Sequence, residues 1–124
     1  MSVSRISKEA ILKMIKGTVA VPEETTCVIK FYSNGCHMCH ALSSYYREIS
    51  DSYEDIMFFA FNVDDDDEIP SKLNLNGVPS LTMFKVNNGK RAKILNLADP
   101  EKPNDKTWFT VKQIKNFIDK EIKK

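Results

Sequence analysis

The sequence predicts an α/β fold on a mixed sheet: a βαβ unit, an antiparallel hairpin, and a helix at the C-terminal end. Three observations carry this. Val28 to Tyr32 and Ile56 to Val63 are apolar, β-prone runs with a helical pattern between them, which reads as two parallel strands and their crossover helix. Ser80 to Val86 and Arg91 to Leu97 flank an Asn88-Gly89 turn signal, which predicts a hairpin. Val111, Ile114, Ile118 and Ile122 recur at helical spacing and predict a buried stripe on the last helix.

The remaining elements fall into place around these. Ser7 is a candidate N-cap, Ile11, Leu12 and Ile15 share one face, and Gly17 stands at the helix end. Thr18 to Thr26, with Pro22 and two glutamates, reads as a connector into the first central strand. Ala41, Leu42, Tyr45, Tyr46 and Ile49 mark a helix running from Cys36 to about Tyr53, and the strand from Ile56 is expected to be covered on both faces. Asp64 to Asp67 lacks the alternating ligands, central Gly and terminal Glu of a calcium loop, so it reads as a solvated entry to a short helix, Glu68 to Leu75. Asp99 to Lys106 is a polar surface loop, and Thr110 with Gln113 fits a capping box, Phe109 and Ile114 a hydrophobic staple.

With 124 residues, the expectation is one domain, 1–124, able to close its own core. Eighteen Lys and Arg against seventeen Asp and Glu leave a net charge of +1, interspersed, with no field to attract nucleic acid or an anionic membrane. Lys112 to Lys124 is locally basic and reads as a solvated helix face. Met1 to Lys16 is too charged and broken for a secretory leader, and no apolar run is long enough to span a bilayer. A cytoplasmic monomer is the expectation. In that compartment structural disulfides stay reduced, so a close cysteine pair points to catalytic or metal chemistry, and Cys27, at the start of a strand, reads as a small buried hydrophobe.

The pair is Cys36 and Cys39, where strand hands over to helix. Ser33, Asn34 and Gly35 break the strand, so Cys36 opens the helix, whose first amides have no partner within it and favour an anion. A thiolate at Cys36 is stabilised there and exposed to attack. Cys39, one turn inside, is shielded and suited to resolve a mixed disulfide. His37, next to Cys36, either tunes the thiolate when protonated or is a plain exposed residue; the side chain of His40 is expected to point elsewhere on the helix.

These residues resemble the thioredoxin family, in which a strand leads into a Trp-Cys-Gly-Pro-Cys turn and a cis-proline loop, distant in sequence, packs beside the cysteines. Cys36-His37-Met38-Cys39 is similar to the redox turn, and Gly77-Val78-Pro79-Ser80 before Leu81 to Phe84 is similar to the proline loop. The resemblance runs from about Ser7 to Lys123. It implies a three-layer α/β/α fold and a protein disulfide oxidoreductase acting on protein disulfides, without bound cofactor or metal. It implies a cis bond at Pro79, with the Val78 backbone beside the cysteines and Gly35, Met38, Val78 and Pro79 forming the surface on which an extended substrate pairs as an added strand. Electrons come from a thioredoxin reductase or from small thiols.

The departures from the family are as informative as the matches. Gly35 replaces the tryptophan and His37-Met38 the Gly-Pro. Lys30 stands where the family commonly buries an acid, and Ala60 where that acid has its lysine partner. Near Cys39, Lys30 either stabilises a thiolate, serves as a base if burial makes it neutral, or snorkels to solvent. Losing the turn proline and gaining a histidine both favour the reduced form, so the expected pair is somewhat more oxidising than a typical thioredoxin.

Three other readings stand beside this one. Cys36 to His40 also spells the Cys-x-x-Cys-His of c-type haem attachment, against which stand the expected absence of an export signal and the unexplained proline loop. A zinc site lacks a second pair of ligands downstream. An interaction module, with dispensable cysteines and a contact through the Asp99 to Lys106 loop, is the alternative of a different class.

Overall fold

The computed structural model of the chain describes residues 3–21 and 23–122. Pro22 of the connector and Lys123 and Lys124 of the basic end lie outside the described residues.

A five-stranded mixed sheet runs through the centre, with two layers of helices against its faces. Strand β1 (Ser4–Arg5) lies at one edge, followed in the chain by helix α1 (Lys8–Lys16), central strand β2 (Thr25–Tyr32), helix α2 (His37–Asp51) and strand β3 (Ile56–Asn62). A 3-10 turn (Val63–Asp65) and helix α3 (Glu68–Lys72) lead to strands β4 (Ser80–Asn87) and β5 (Lys90–Asn96), and helix α4 (Val111–Ile122) closes the fold. The spatial order is β1-β3-β2-β4-β5, with β3 parallel to β2 and β4 antiparallel to it. Both the βαβ unit and the hairpin thus form where the apolar runs and the Asn88-Gly89 turn place them.

The period of two along β2 assigns its side chains. Val28 faces the cluster built with Leu42, Tyr46 and Ile49 of α2 and Ile114 and Ile118 of α4. Cys27, Ile29 and Phe31 face the other cluster, with Ile11 and Met14 of α1 and Ile69 of α3. Every apolar residue on a central strand therefore has a buried face to point into, which is why the run does not alternate in hydropathy.

The ends of the helices follow their capping residues. Ser7 Oγ accepts from the Ala10 amide at 3.1 Å, and Gly17 ends α1 at φ 76°. A Cβ at Gly17 would collide with the Lys90 backbone, so the close approach of α1 to the β4–β5 turn also requires glycine. At α4, the Thr110 amide donates to Gln113 Oε1 at 2.8 Å and the Gln113 amide to Thr110 Oγ1 at 3.2 Å, the reciprocal pair of a capping box.

Several expectations are corrected. Helix α2 ends at Asp51 rather than near Tyr53, whose hydroxyl instead donates to Asp119 Oδ1 at 2.7 Å and ties the helix exit to α4. Helix α3 ends at Lys72, with Leu73 as its cap. Ile122 is exposed while Glu121 is buried: from Ile114 and Ile118 the inward stripe continues three residues on, at position 121, where the Lys85 ammonium donates to the Glu121 carbonyl. On α2, Tyr45 lies on the outer face, and Met57 of β3 is exposed, so β3 is not covered along its whole length. Strand β1 has no counterpart in the sequence reading, since two exposed residues carry no pattern.

Candidate active site

The sheet register places the site. Phe31 on β2 pairs with Ser80 on β4, so the end of the strand that leads to Cys36 lies beside the start of the strand that follows Pro79. The Val78–Pro79 bond is cis, and Pro79 is buried. Ser80 Oγ donates to the Gly77 carbonyl and closes this loop on itself. The proline loop and the cysteine turn, about forty residues apart in sequence, thus meet at one end of the sheet.

Cys36 and Cys39 are joined as a disulfide, their Cα atoms 5.2 Å apart. Cys36 is the N-cap of α2, and its sulfur accepts from the Cys39 amide at 3.0 Å. Here sulfur does what a capping oxygen does elsewhere: it takes an amide left without a partner in the helix. When the disulfide opens, the same amide and the positive end of the helix face a thiolate at Cys36. Cys39 has no exposed surface, whereas Cys36 is partly exposed. Attack from outside therefore reaches Cys36.

The turn before Cys36 is held through Asn34, which sequence reasoning passed over as a strand breaker. Its amide donates to Asp64 Oδ2 at 2.8 Å, its side-chain oxygen accepts from Asn62 Nδ2 at 2.9 Å, and its carbonyl accepts from His40 Nε2 at 2.9 Å. His40 is therefore turned away from the cysteine pair but back onto the turn that presents it. Asp64 belongs to the acidic run and braces this turn, while Asp66 meets the helix entry by accepting from the Ile69 amide and from Lys8. The signal that could have found these partners is the cluster of Asn and Asp residues at the ends of two adjacent parallel strands, where ligand and active-site loops gather.

Lys30 lies behind the pair and does not snorkel to solvent. It is 4% exposed; its Nζ donates to Ser43 Oγ at 2.9 Å and lies 5.3 Å from the ring centroid of Tyr46 and 5.6 Å from that of Tyr32. Ser43 Oγ in turn donates to the Cys39 carbonyl at 3.2 Å. Burial, reinforced by the charge of Arg47, lowers the Lys30 ammonium to about 8. Its ammonium is held by the two ring faces and Ser43, contacts that favour the charged form against the burial that lowers it.

The other predicted site residues are placed as follows. His37 is exposed on the first residue of α2, and Met38 beside it is partly exposed. Gly35 is exposed, and a Cβ built there meets nothing within 4 Å, so the missing tryptophan leaves open surface next to Cys36. Val78 packs against the apolar cluster on the α1 side of the sheet. Cys27 is buried, its thiol pushed up to about 11 by desolvation, and takes no part in the site. Among the described residues no group of three His, Cys, Asp or Glu side chains is arranged to hold a metal.

A partly exposed sulfur capping a helix, linked to a buried one a turn later, beside a cis-proline loop, defines a thiol–disulfide oxidoreductase. The comparisons with known proteins agree. The family model described as Thioredoxin matches residues 9–105, most of the chain, and the chain belongs to the thioredoxin family. Thioredoxin-1 of Schizosaccharomyces pombe is 27% identical over 82 residues, 66% of this chain and 78% of that protein. Thioredoxin of Rickettsia bellii is 29% identical over 68 residues, 54% of this chain and 65% of that one. The structure of chloroplastic thioredoxin z superposes with a TM-score of 0.65 at 17% identity, covering 97% of this chain and 94% of that one. The Trx4 domain of ERdj5 gives 0.71 at 12% identity, covering 98% and 95%. At such identities these two structures speak for the fold alone.

Proposed function

We propose that the chain reduces disulfides in other proteins, with Cys36 as nucleophile and Cys39 as resolving thiol. The observation that carries this division is the contrast between a partly exposed Cys36 capping α2 and a Cys39 with no exposed surface. In the reduced protein the Cys36 thiolate attacks one sulfur of a substrate disulfide. A Cys36–substrate disulfide forms, and the displaced substrate sulfur leaves as a thiolate that takes a proton from water. Cys39 then loses its proton and attacks Cys36 Sγ, releasing the second substrate thiol and leaving the Cys36–Cys39 disulfide. Two electrons have passed from the protein to its substrate. The Lys30 cation, one hydrogen-bonded serine away from the Cys39 carbonyl, favours the negative charge that Cys39 must develop.

Protein substrates and a reductase partner are general to the family. For this chain the reading is of a cytoplasmic monomer, recycled by a thioredoxin reductase or by small thiols, that carries electrons in redox homeostasis. The substrate backbone pairs with the edge at Val78, next to Gly35, Met38 and Pro79.

Insulin disulfide reduction in dithiothreitol tests the core of this. The wild type is expected to turn over, Cys36→Ser to lose activity, and Cys39→Ser to accumulate a mixed disulfide visible by mass spectrometry. A well-folded wild type no faster than dithiothreitol alone would overturn the oxidoreductase reading in favour of a binding module.

A further inference from the structure

One cleft gathers more cationic groups than the single Lys30 charge that the Cys39 step uses. It measures about 330 Å³, lies between α2 and the β1–β3–β2 side of the sheet, and is lined by Arg5, Lys30, His40 and Arg47, with Ser43 at its wall and Ala60 at its floor. No carboxylate lines it among the described residues, although the chain has nearly as many acidic as basic side chains.

The floor is set by strand register. Arg5 pairs with Ala60, and Ala60 with Lys30, so these three form one row across β1, β3 and β2. Strand pairing puts residues of one row on one face, and the methyl of Ala60 leaves the space between the two cations empty. Arg47 and His40 reach the same space from α2. The next residue along the row, Leu81 on β4, adds no charge.

From this geometry we propose that the cleft binds a small dianionic oxyanion of the sulfate or phosphate type. Lys30 is buried, Ser43 Oγ is its hydrogen-bond partner among the described residues, and an ammonium has three protons to donate. Its other neighbours are the Tyr32 and Tyr46 rings, weaker partners than an ionised oxygen, so up to two of its donors can turn to a guest. Arginine forks match the oxygens of such anions, and bonds between ionised partners are the strong ones. The volume is at the low end for small-molecule sites, which suits a compact tetrahedral group. The like charge of Arg47 that disfavours the Lys30 ammonium is neutralised when a dianion enters, so binding and protonation of Lys30 support each other. Binding accordingly weakens as pH rises past about 8, where the unliganded amine loses its proton.

The test uses the full chain in its oxidised form, which removes the Cys36 and Cys39 thiols from the titration. Sulfate, whose charge is constant over the range, is titrated against chloride at fixed ionic strength while amide and side-chain NMR shifts are followed. Saturable shifts clustered at Arg5, Lys30, Ser43 and Arg47 are expected, weaker by about tenfold or more in Arg47→Gln and again between pH 7 and pH 9.5. Ala60→Leu, which fills the floor without touching charge, is expected to abolish saturation while leaving the fold and its insulin activity measurable. A parallel titration with glycerol phosphate separates the sources: tighter binding than sulfate assigns the site to an organic phosphate, equal binding to the free ion. Shifts that never saturate, or that persist unchanged in both variants, would overturn the site whatever the outcome of the insulin assay.

Discussion

Lys30 is the residue at which this protein departs most from an ordinary redox site. Its amine falls to about 8 in the folded chain against an ordinary value of 10.5. Between those two values the unfolded chain binds more protons than the folded one, so stability rises with pH; below about 8 the whole cost of burying the cation stands. Lys30→Met is therefore expected to gain about 1–3 kcal/mol at pH 7, measured by urea unfolding of the oxidised protein in chloride buffer. The gain should shrink as pH climbs to 10.5. A methionine variant less stable than wild type at pH 7 would show that Ser43 and the two tyrosine rings more than offset the desolvation. Cys27 offers a second check. Its thiol, pushed up to about 11, is expected to resist iodoacetamide in the native reduced protein while Cys36 is alkylated, and to react only in denaturant.

Among the elements, α2 matters most, because its first residue and the turn before it decide how Cys36 is presented. Asp64 accepts the Asn34 amide from outside the turn, so Asp64→Ala leaves that donor without its partner and loosens the approach to Cys36. Insulin reduction is expected to fall about three- to tenfold with little change in thermal midpoint, and Asp64→Asn, which keeps an acceptor oxygen, to recover most of it. An unchanged rate in Asp64→Ala would reduce Asn34 and its partners to scaffolding. Helix α4 supplies the control for stability without chemistry. Thr110→Ala removes half of the capping box and is expected to cost about 1 kcal/mol, with Thr110→Ser restoring it and neither variant altering turnover per folded molecule.

At the level of the whole molecule, the arrangement predicts a redox balance. The start of α2 facing Cys36 and the Lys30 cation linked through Ser43 to the Cys39 carbonyl are each placed to stabilise a thiolate, and a protein whose reduced form is stabilised is a stronger oxidant. Equilibration with glutathione is expected to give a potential above the thioredoxin value of about −270 mV. A result at or below that value would show that these charges do not control the pair. At Gly35 the surface next to Cys36 is open, with room for a side chain that this sequence does not supply.

The parallel strands, their crossover helix, the hairpin and both principal helix caps were legible in the sequence, because each is written in local terms: apolar runs, helical spacing, Asn-Gly, Ser7 and Thr110. The cysteine pair and Pro79 were legible for the same reason, as short motifs in the right order. The environment of Lys30 was not. Whether a lysine in a strand points into water or into a cleft depends on what β1, β3 and α2 bring to its face, and β1 is too short to leave any pattern. Nor could the sequence turn His40 back onto Asn34, bury Glu121 in place of Ile122, or line up Arg5, Ala60 and Lys30. Those depend on the register between strands far apart in the chain and on the rotation of helices against the sheet, which only the packed molecule decides.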